Sequence, residues 1–271
     1  MHIKEPTPSG DHFSNKASDL AKKVTLQEAG KVIQQQGWGA MPDFLDNYFR
    51  SLNIQPSFIQ EKNPDYLQMR NRLKTASGLV ISNHPGYFDF PIIVASLGGR
   101  KDVKIFVAEK IHEEYSGLLG QEYFLKATKD PTENKKIFRK AQEHLAAGGI
   151  ILIFPTGTDE HLSNTHREDT VLFQTGFGFL VKHFLKPPDM IYSFHVDEND
   201  IASIIDEKIR RGWGAASDTI FPGMVNPNQF KETKIIKVNE VCTNASEWQE
   251  LIQRDSLETN RQLTAHFKNQ F

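Results

Sequence analysis

The sequence predicts an α/β fold in which a mostly parallel central sheet is flanked by helices, with a helical hairpin before it. Short apolar runs alternate with segments of helical periodicity from residue 78 onward. The run at 149–154 is continuously apolar, which is typical of a strand that is covered on both faces. Every apolar run falls far short of the ~20 residues that a membrane-spanning helix needs, so the sequence predicts no such helix.

The N-terminal part of the chain has a different pattern of apolar residues from the rest. Residues 1–65 are predicted to form a flexible leader and a helical segment, and residues 66–271 the α/β domain. Apolar residues at helical spacing predict one helix over 14–36 and a second over 43–52. Glycine and proline in 37–42 separate these two helices, so the pair is predicted to form a hairpin.

The elements of the α/β domain follow from apolar periodicity and from the glycines and prolines at their ends. Strands are predicted at 78–82, 103–107, 123–125, 149–154 and 190–196, with an outer strand at 234–241. Helices are predicted at 89–97, 131–147, 171–185 and 245–268. In the second of these helices, Pro131 stands at the start, and Gly148 and Gly149 follow the end, which is the usual placement of these two residue types.

Composition excludes several classes of protein. A net charge of −2 does not suit a general nucleic-acid binder. Cys242 is the single cysteine, which excludes an internal disulfide and fits a reducing compartment. The N-terminus has no apolar signal-peptide core, so the expected location is the cytoplasm, with peripheral membrane contact left open. The sequence has neither the Gly-x-Ser-x-Gly elbow of serine hydrolases nor a P-loop.

The strand at 78–82 is followed by a histidine and a carboxylate. His84 and Asp89 are five positions apart, and Pro85 and Gly86 shape the turn between them. A carboxylate bonded to one ring nitrogen fixes the tautomer of a histidine and stabilises the imidazolium. The other nitrogen can then accept a proton from a hydroxyl or an amine. The structural alternative is that Asp89 caps a helix and His84 is a turn residue.

A second segment of interest follows the most apolar strand. Its sequence is Phe154-Pro155-Thr156-Gly157-Thr158. A turn of this composition at the carboxyl end of a parallel strand exposes backbone N–H groups and a hydroxyl where α/β proteins bind ligands. Taken alone, the segment is also consistent with a structural turn.

Together the two segments resemble the PlsC-like family of glycerolipid acyltransferases, which acylate glycerol-3-phosphate and lysophosphatidic acid. The family's first block, Asn-His-x4-Asp, is matched by Asn83, His84 and Asp89. Its third block, Phe-Pro-Glu-Gly-Thr-Arg, is matched by Phe154, Pro155, Gly157 and Thr158. Weaker second and fourth blocks are matched at 120–127 and 174–176, and the resemblance covers roughly residues 70–200.

The resemblance implies a PlsC-like fold and an acyltransferase of phospholipid biosynthesis. In such an enzyme His84, oriented by Asp89, deprotonates a hydroxyl or amine acceptor. The acceptor then attacks an acyl thioester carried by CoA or acyl carrier protein, without a metal or other cofactor. The residues that the resemblance assigns to substrate binding are Asn83, Gly86, Phe154, Pro155, Thr156, Gly157, Thr158, Lys126 and Lys129.

Three departures from the family concern the acceptor. The third-block glutamate is Thr156 and its arginine is Asp159, while the second-block arginine falls on Ala127. The family uses these charged positions to hold the acceptor phosphate, so an aspartate there disfavours a dianion unless cations compensate. The candidate cations are Lys126, Lys129, His161, His166 and Arg167.

The resemblance also gives the predicted hairpin two possible roles. It could cover the acyl site or touch a membrane, although packing against the main domain is the preferred interpretation. The apolar residues concerned are Phe13, Trp38, Phe44, Leu45 and Phe49.

Two other functions stay open at this stage. One is a non-catalytic acyl- or lipid-binding protein that kept the fold and lost acceptor recognition. The other is a thioesterase-like hydrolase, in which His84 activates water instead of an alcohol.

Overall fold

The computed structural model describes residues 28–51, 53–58, 64–84, 89–97, 99–157, 172–186, 189–197 and 232–271. The strands are β1 (Ile54–Phe58), β2 (Gly78–Ser82), β3 (Val103–Ala108), β4 (Phe124–Ala127), β5 (Ile150–Ile153), β6 (Met190–Asp197) and β7 (Lys234–Asn244). The helices are α1 (28–36), α2 (Met41–Ser51), α3 (Pro64–Leu73), α4 (Asp89–Ser96), α5 (Glu109–Leu119), α6 (Pro131–Ala146), α7 (Thr175–His183), α8 (Ala245–Gln249) and α9 (Ser256–Lys268).

The seven strands form one sheet in the order β1-β7-β6-β2-β5-β3-β4. The strands from β6 to β4 in that order run parallel, and β7 runs antiparallel to β6 and parallel to β1. Short apolar strands joined by helices form a parallel sheet because both of its faces can then be covered. The predicted mostly parallel α/β fold is confirmed.

Helices cover both faces of the sheet. On one face, α2 and α4 contribute Leu45, Phe49 and Ile92 to the larger apolar cluster. On the other face, α6, α7 and α9 bury a second cluster that includes Phe177 and Leu263. All five residues of β2 are buried, which explains why its sequence shows no alternation of apolar and polar residues.

The centre of the sheet determines where polar loops meet. β2 and β5 are parallel neighbours, with Ile81 opposite Ile153 in the register. Both strands therefore end at the same carboxyl edge. α4 begins there on one face of the sheet and α7 on the other, so the segments that follow β2 and β5 lie side by side.

Several predicted elements need correction. The predicted outer strand at 234–241 is wrong in position, because β7 lies between β1 and β6. The single helix predicted at 245–268 is two helices, and the second begins at a new cap in which Asp255 accepts from the N–H of Glu258. Helices α3 and α5 were not predicted.

β1 was missed altogether, within the segment predicted to be a leader and helices. It has one fully buried residue, Ile54, and a proline, Pro56, near its middle. A strand at the edge of a sheet tolerates proline because one side of its backbone needs no partner. Both features hide the apolar alternation by which strands are recognised.

Helix α2, the second helix of the predicted hairpin, packs on the main domain. Met41, Leu45 and Phe49 are buried, and α2 contacts α4. Phe44 is partly buried against the same cluster. Phe13 and the Trp38 side chain lie outside the described residues. Within the described part of the chain, no helix has the length and apolar character needed to cross a membrane.

Candidate active site

His84 and Asp89, predicted to pair, are in direct contact. The Nδ1 atom of His84 lies 2.7 Å from Oδ2 of Asp89. His84 follows the end of β2, and Asp89 is the first residue of α4. A neutral histidine bonded in this way carries its proton on Nδ1, so that Nε2 is the basic nitrogen.

The carboxylate is more buried than the imidazole. The Asp89 side chain is 4% exposed and the His84 side chain 28% exposed. Oδ1 of Asp89 also accepts a hydrogen bond from the N–H of Phe90. A carboxylate held at both oxygens can fix a ring in one orientation, while the ring itself can be reached from solvent.

Phe154 holds the plane of the histidine ring. The two rings are stacked with their centroids 4.4 Å apart and an interplanar angle of 24°. Phe154 follows β5, the parallel neighbour of β2, so the shared carboxyl edge brings the first and third sequence blocks together. The sequence placed both residues in the site, but it gave no sign of this stacking.

The residues after Phe154 form a tight turn. The N–H of Gly157 donates to the carbonyl of Phe154 at 3.0 Å, and Gly157 has a φ of +68°, which favours glycine. Thr156, where the family has a glutamate, is 4% exposed. Gly157 is exposed, whereas the Thr156 side chain lies inside the protein.

Gln174 fixes this turn to the start of α7. Its backbone N–H donates to the carbonyl of Pro155 at 2.7 Å, and its Nε2 donates to the carbonyl of Thr156 at 3.0 Å. The sequence placed Gln174 in a weak fourth block and missed this role. No sequence signal connects it to the turn, because the contact depends on the placement of α7.

Asn83, the first residue of the first block, contacts the neighbouring strand. Its side-chain amide is bonded to both backbone groups of Val196, at the end of β6. The structure thus brings Asn83, His84 and Asp89 together, but it directs the Asn83 side chain toward β6.

Lys126 and Lys129 lie further from the histidine. They stand at or beyond the end of β4, three strand positions from β2, which corresponds to about 14 Å across the sheet. Lys126 forms an ion pair with Glu109 at 2.8 Å, and that hydrogen bond raises the pKa of the lysine. Lys129 and Ala127 are exposed. The two lysines share the carboxyl edge with His84 without contacting it.

Several predicted positions lie outside the described residues. They are Gly86, Thr158, Asp159, His161, His166 and Arg167. Among the residues that are described, no three His, Cys, Asp or Glu side chains are grouped so that they could hold a metal ion.

A family model adds a comparison to this geometry. The model named Acyltransferase matches residues 63–194. The matched span contains the His84–Asp89 pair and the turn after Phe154. Over these residues the chain is similar to the Acyltransferase family. The match confirms the predicted resemblance to acyltransferases, which had been based on two short sequence blocks.

The fold of the chain is similar to that of a solved structure. It is the 1-acyl-sn-glycerophosphate (LPA) acyltransferase, PlsC, from Thermotoga maritima. Sequence identity is 13%, the TM-score is 0.54, and the match covers 96% of this chain and 94% of the other. At this level of identity the likeness concerns the fold, and it agrees with the predicted architecture. No curated protein matches the sequence.

Proposed function

We propose that the protein transfers a fatty acyl group from a thioester of CoA or acyl carrier protein to a hydroxyl or amine. His84 is the general base in this proposal, and Asp89 orients it. The contact of 2.7 Å between His84 Nδ1 and Asp89 Oδ2 carries the proposal. A histidine oriented by a buried carboxylate, beside a turn at the carboxyl edge of a parallel sheet, suits acid–base chemistry.

The reaction requires two proton transfers, one to His84 and one from it. Nε2 of His84 takes the proton of the acceptor hydroxyl or amine as its oxygen or nitrogen attacks the thioester carbon. The tetrahedral intermediate then collapses, the carbon–sulfur bond breaks, and the leaving thiolate receives the proton from the imidazolium. Asp89 stabilises the imidazolium between these two transfers. The products are the acylated acceptor and a free thiol.

Glycerophospholipid precursors are the first acceptors to consider. The family match and the name of the similar Thermotoga maritima enzyme support this class. Thr156 and Ala127 carry no charge at two positions where the family places ions. For this reason the proposed acceptor class includes hydroxyls and amines without a phosphate.

Release of free thiol from purified protein tests the proposal. The protein is incubated with long-chain acyl-CoA or acyl carrier protein, with and without a panel of acceptors that includes 1-acylglycerol-3-phosphate. We expect thiol release that depends on an acceptor and an acylated product that is detected by mass spectrometry. His84→Ala should lower the rate by about 10²–10⁴-fold.

The other outcomes identify the alternatives. Equal release with and without acceptor, lost in His84→Ala, indicates a thioesterase-like hydrolase. No release with retained binding of the acyl donor indicates a non-catalytic binding protein. Undiminished transfer by His84→Ala would contradict the role of His84 as the base.

A further inference from the structure

The side chain of Asn83 makes a two-point contact with the backbone of Val196. Its Nδ2 donates to the Val196 carbonyl oxygen at 2.9 Å, and its Oδ1 accepts from the Val196 N–H at 2.8 Å. The hydroxyl of Ser82 donates to the same Oδ1 at 3.2 Å. Both the donor end and the acceptor end of the amide are therefore engaged by the protein.

This contact continues the pairing of two strands after their backbone pairing has ended. The register of β2 with β6 ends with Ser82 opposite Phe194. A side-chain amide offers the same donor and acceptor as a peptide group, and Asn83 uses them on Val196. Val196 lies opposite Val238 of β7, and the β6–β7 ladder holds this end of β6 in the sheet from the other side.

The position of the neighbouring residue, His84, depends on where the chain leaves the sheet. Consecutive Cα atoms are ~3.8 Å apart, so fixing Asn83 limits the position of the His84 backbone. Asp89 then fixes one ring nitrogen, and Phe154 fixes the plane of the ring. A general base must lie ~2.6–3.2 Å from the proton-bearing atom, and a misplacement of about 1 Å can cost ~10²-fold in rate.

We propose that Asn83 is a positioning residue, which holds His84 in place by joining the ends of β2 and β6. The family resemblance assigned substrate binding to Asn83, and this proposal replaces that role with a positioning role. The proposal rests on the function of His84 given above. Asparagine is required because aspartate would place a carboxylate oxygen against the Val196 carbonyl, and alanine would leave both backbone groups without this partner.

Steady-state kinetics of Asn83→Ala and Asn83→Asp test the proposal. We expect kcat to fall about 10–100-fold, while KM for donor and acceptor changes by less than about twofold. Asn83→Asp keeps the bond to the Val196 N–H, so it carries the test if Asn83→Ala does not fold.

Gln249→Ala is the matched control. Like Asn83, Gln249 makes two hydrogen bonds from its side-chain amide to the backbone, here by donating to the carbonyls of Val181 at 3.0 Å and Leu185 at 2.9 Å. This contact lies at the end of α7 that is remote from His84. We expect the control to keep kcat within about twofold of the wild type, even if its thermal stability falls as much as that of Asn83→Ala.

A spectroscopic readout makes the test independent of turnover. In protein labelled with ¹⁵N-histidine, the Nδ1–H resonance of His84 is assigned as the one that is absent from the spectrum of His84→Ala. We expect it to shift or broaden in Asn83→Ala and to stay unchanged in Gln249→Ala. Because this experiment needs no substrate, it tests the positioning role even if the proposed acyl transfer is wrong.

Three results would overturn the proposal. A raised KM for the acceptor at unchanged kcat would make Asn83 a substrate-binding residue. Equal losses of kcat in Asn83→Ala and Gln249→Ala would show only general destabilisation. An unchanged His84 resonance in both Asn83 variants would show that the contact with Val196 does not position the ring.

Discussion

The two edges of the central sheet each hold a histidine, and the partners of these histidines differ. At the carboxyl edge, His84 contacts the carboxylate of Asp89. At the amino edge, Nε2 of His144 lies 2.7 Å from the carbonyl of Asp102 and 3.1 Å from that of Ile150. The His144 ring also fills the space in which a Cβ at position 149 would stand, which accounts for Gly149.

The amino edge is completed by a buried arginine. Arg100 binds the carboxylate of Asp102 with two nitrogens, at 2.6 and 2.5 Å. It also donates to the carbonyls of Leu73, Ala76 and Gly148. Leu73 ends α3, and Ala76, Asp102 and Gly148 lie just before β2, β3 and β5, so the arginine joins the segments from which the central strands begin.

The difference lies in what each histidine can do after binding a proton. A carboxylate partner stabilises the imidazolium, so His84 can gain and lose a proton during a reaction. Carbonyl partners accept from a ring N–H and hold the ring in place, which gives His144 a structural role. The comparison teaches that the partner of a half-buried histidine, more than its burial, indicates chemistry.

The largest expected effect comes from replacing the carboxylate at each edge by an amide. Asp89→Asn removes the charge that stabilises the His84 imidazolium, so we expect kcat for acyl transfer to fall about 10²–10⁴-fold. Asp102→Asn, its control at the amino edge, should leave kcat within about twofold and lower the melting temperature. Similar losses of kcat in both variants would contradict the division of roles between the edges.

Removal of the amino-edge arginine is expected to affect stability. Arg100 is 8% exposed, and Arg100→Ala leaves three backbone carbonyls and one carboxylate without their donors. We expect the free energy of unfolding to fall by about 1–3 kcal/mol, measured by urea denaturation, mainly because the carbonyls lose their donor. Arg139→Ala is the control, since Arg139 forms an exposed pair with Glu143 and should change stability by less than ~1 kcal/mol. Equal losses in the two variants would show that the amino edge contributes no special stability.

A smaller effect is expected from the stacked ring at the carboxyl edge. Phe154→Leu keeps an apolar side chain but removes the aromatic face against His84. Stacked rings contribute roughly 0.5–1.5 kcal/mol beyond burial, so we expect kcat to fall about 2–10-fold. Phe177→Leu, in the apolar cluster on the other face of the sheet, should lower stability without lowering kcat. An unchanged kcat in Phe154→Leu would show that the aromatic face of Phe154 does not help to orient the imidazole.

The sequence predicted the carboxyl edge better than the amino edge. His84, Asp89 and Phe154 lie within two short segments that directly follow apolar strands, so local spacing paired the first two, and the family resemblance placed Phe154 in the same site. Arg100 and His144 have partners that are distant in sequence, such as Leu73 and Gly148 for the arginine. Their roles depend on the tertiary fold and leave no local pattern.

The same reason explains what was missed in the fold and the site. β1 pairs with a strand 180 residues later in the chain, and Ile54 is its single buried residue. The contact of Asn83 with Val196 joins residues 113 positions apart. A family block identified Asn83 as a residue of the site, but only the placement of β6 shows which atoms it contacts.

The smallest expected effect concerns the response of the amino edge to pH. Burial lowers the pKa of His144, and the charge of Lys104 acts in the same direction. The unfolded chain, with an ordinary histidine pKa of ~6.5, therefore binds a proton below that pH more readily than the folded protein does. The stability contributed by this site is fully present above about pH 6.5 and is lost as the pH falls from there through the lower pKa of the folded protein.

His144→Gln removes the titrating group and keeps a side-chain amide that can donate to a carbonyl. We expect its melting temperature to fall less steeply than that of the wild type between about pH 7.5 and 5, although it starts from a lower value. Parallel curves for the two proteins would show that His144 does not resist protonation in the folded state. In that case the two carbonyl partners of His144 would accommodate an imidazolium. His144 and His84 would then differ only in their positions in the fold.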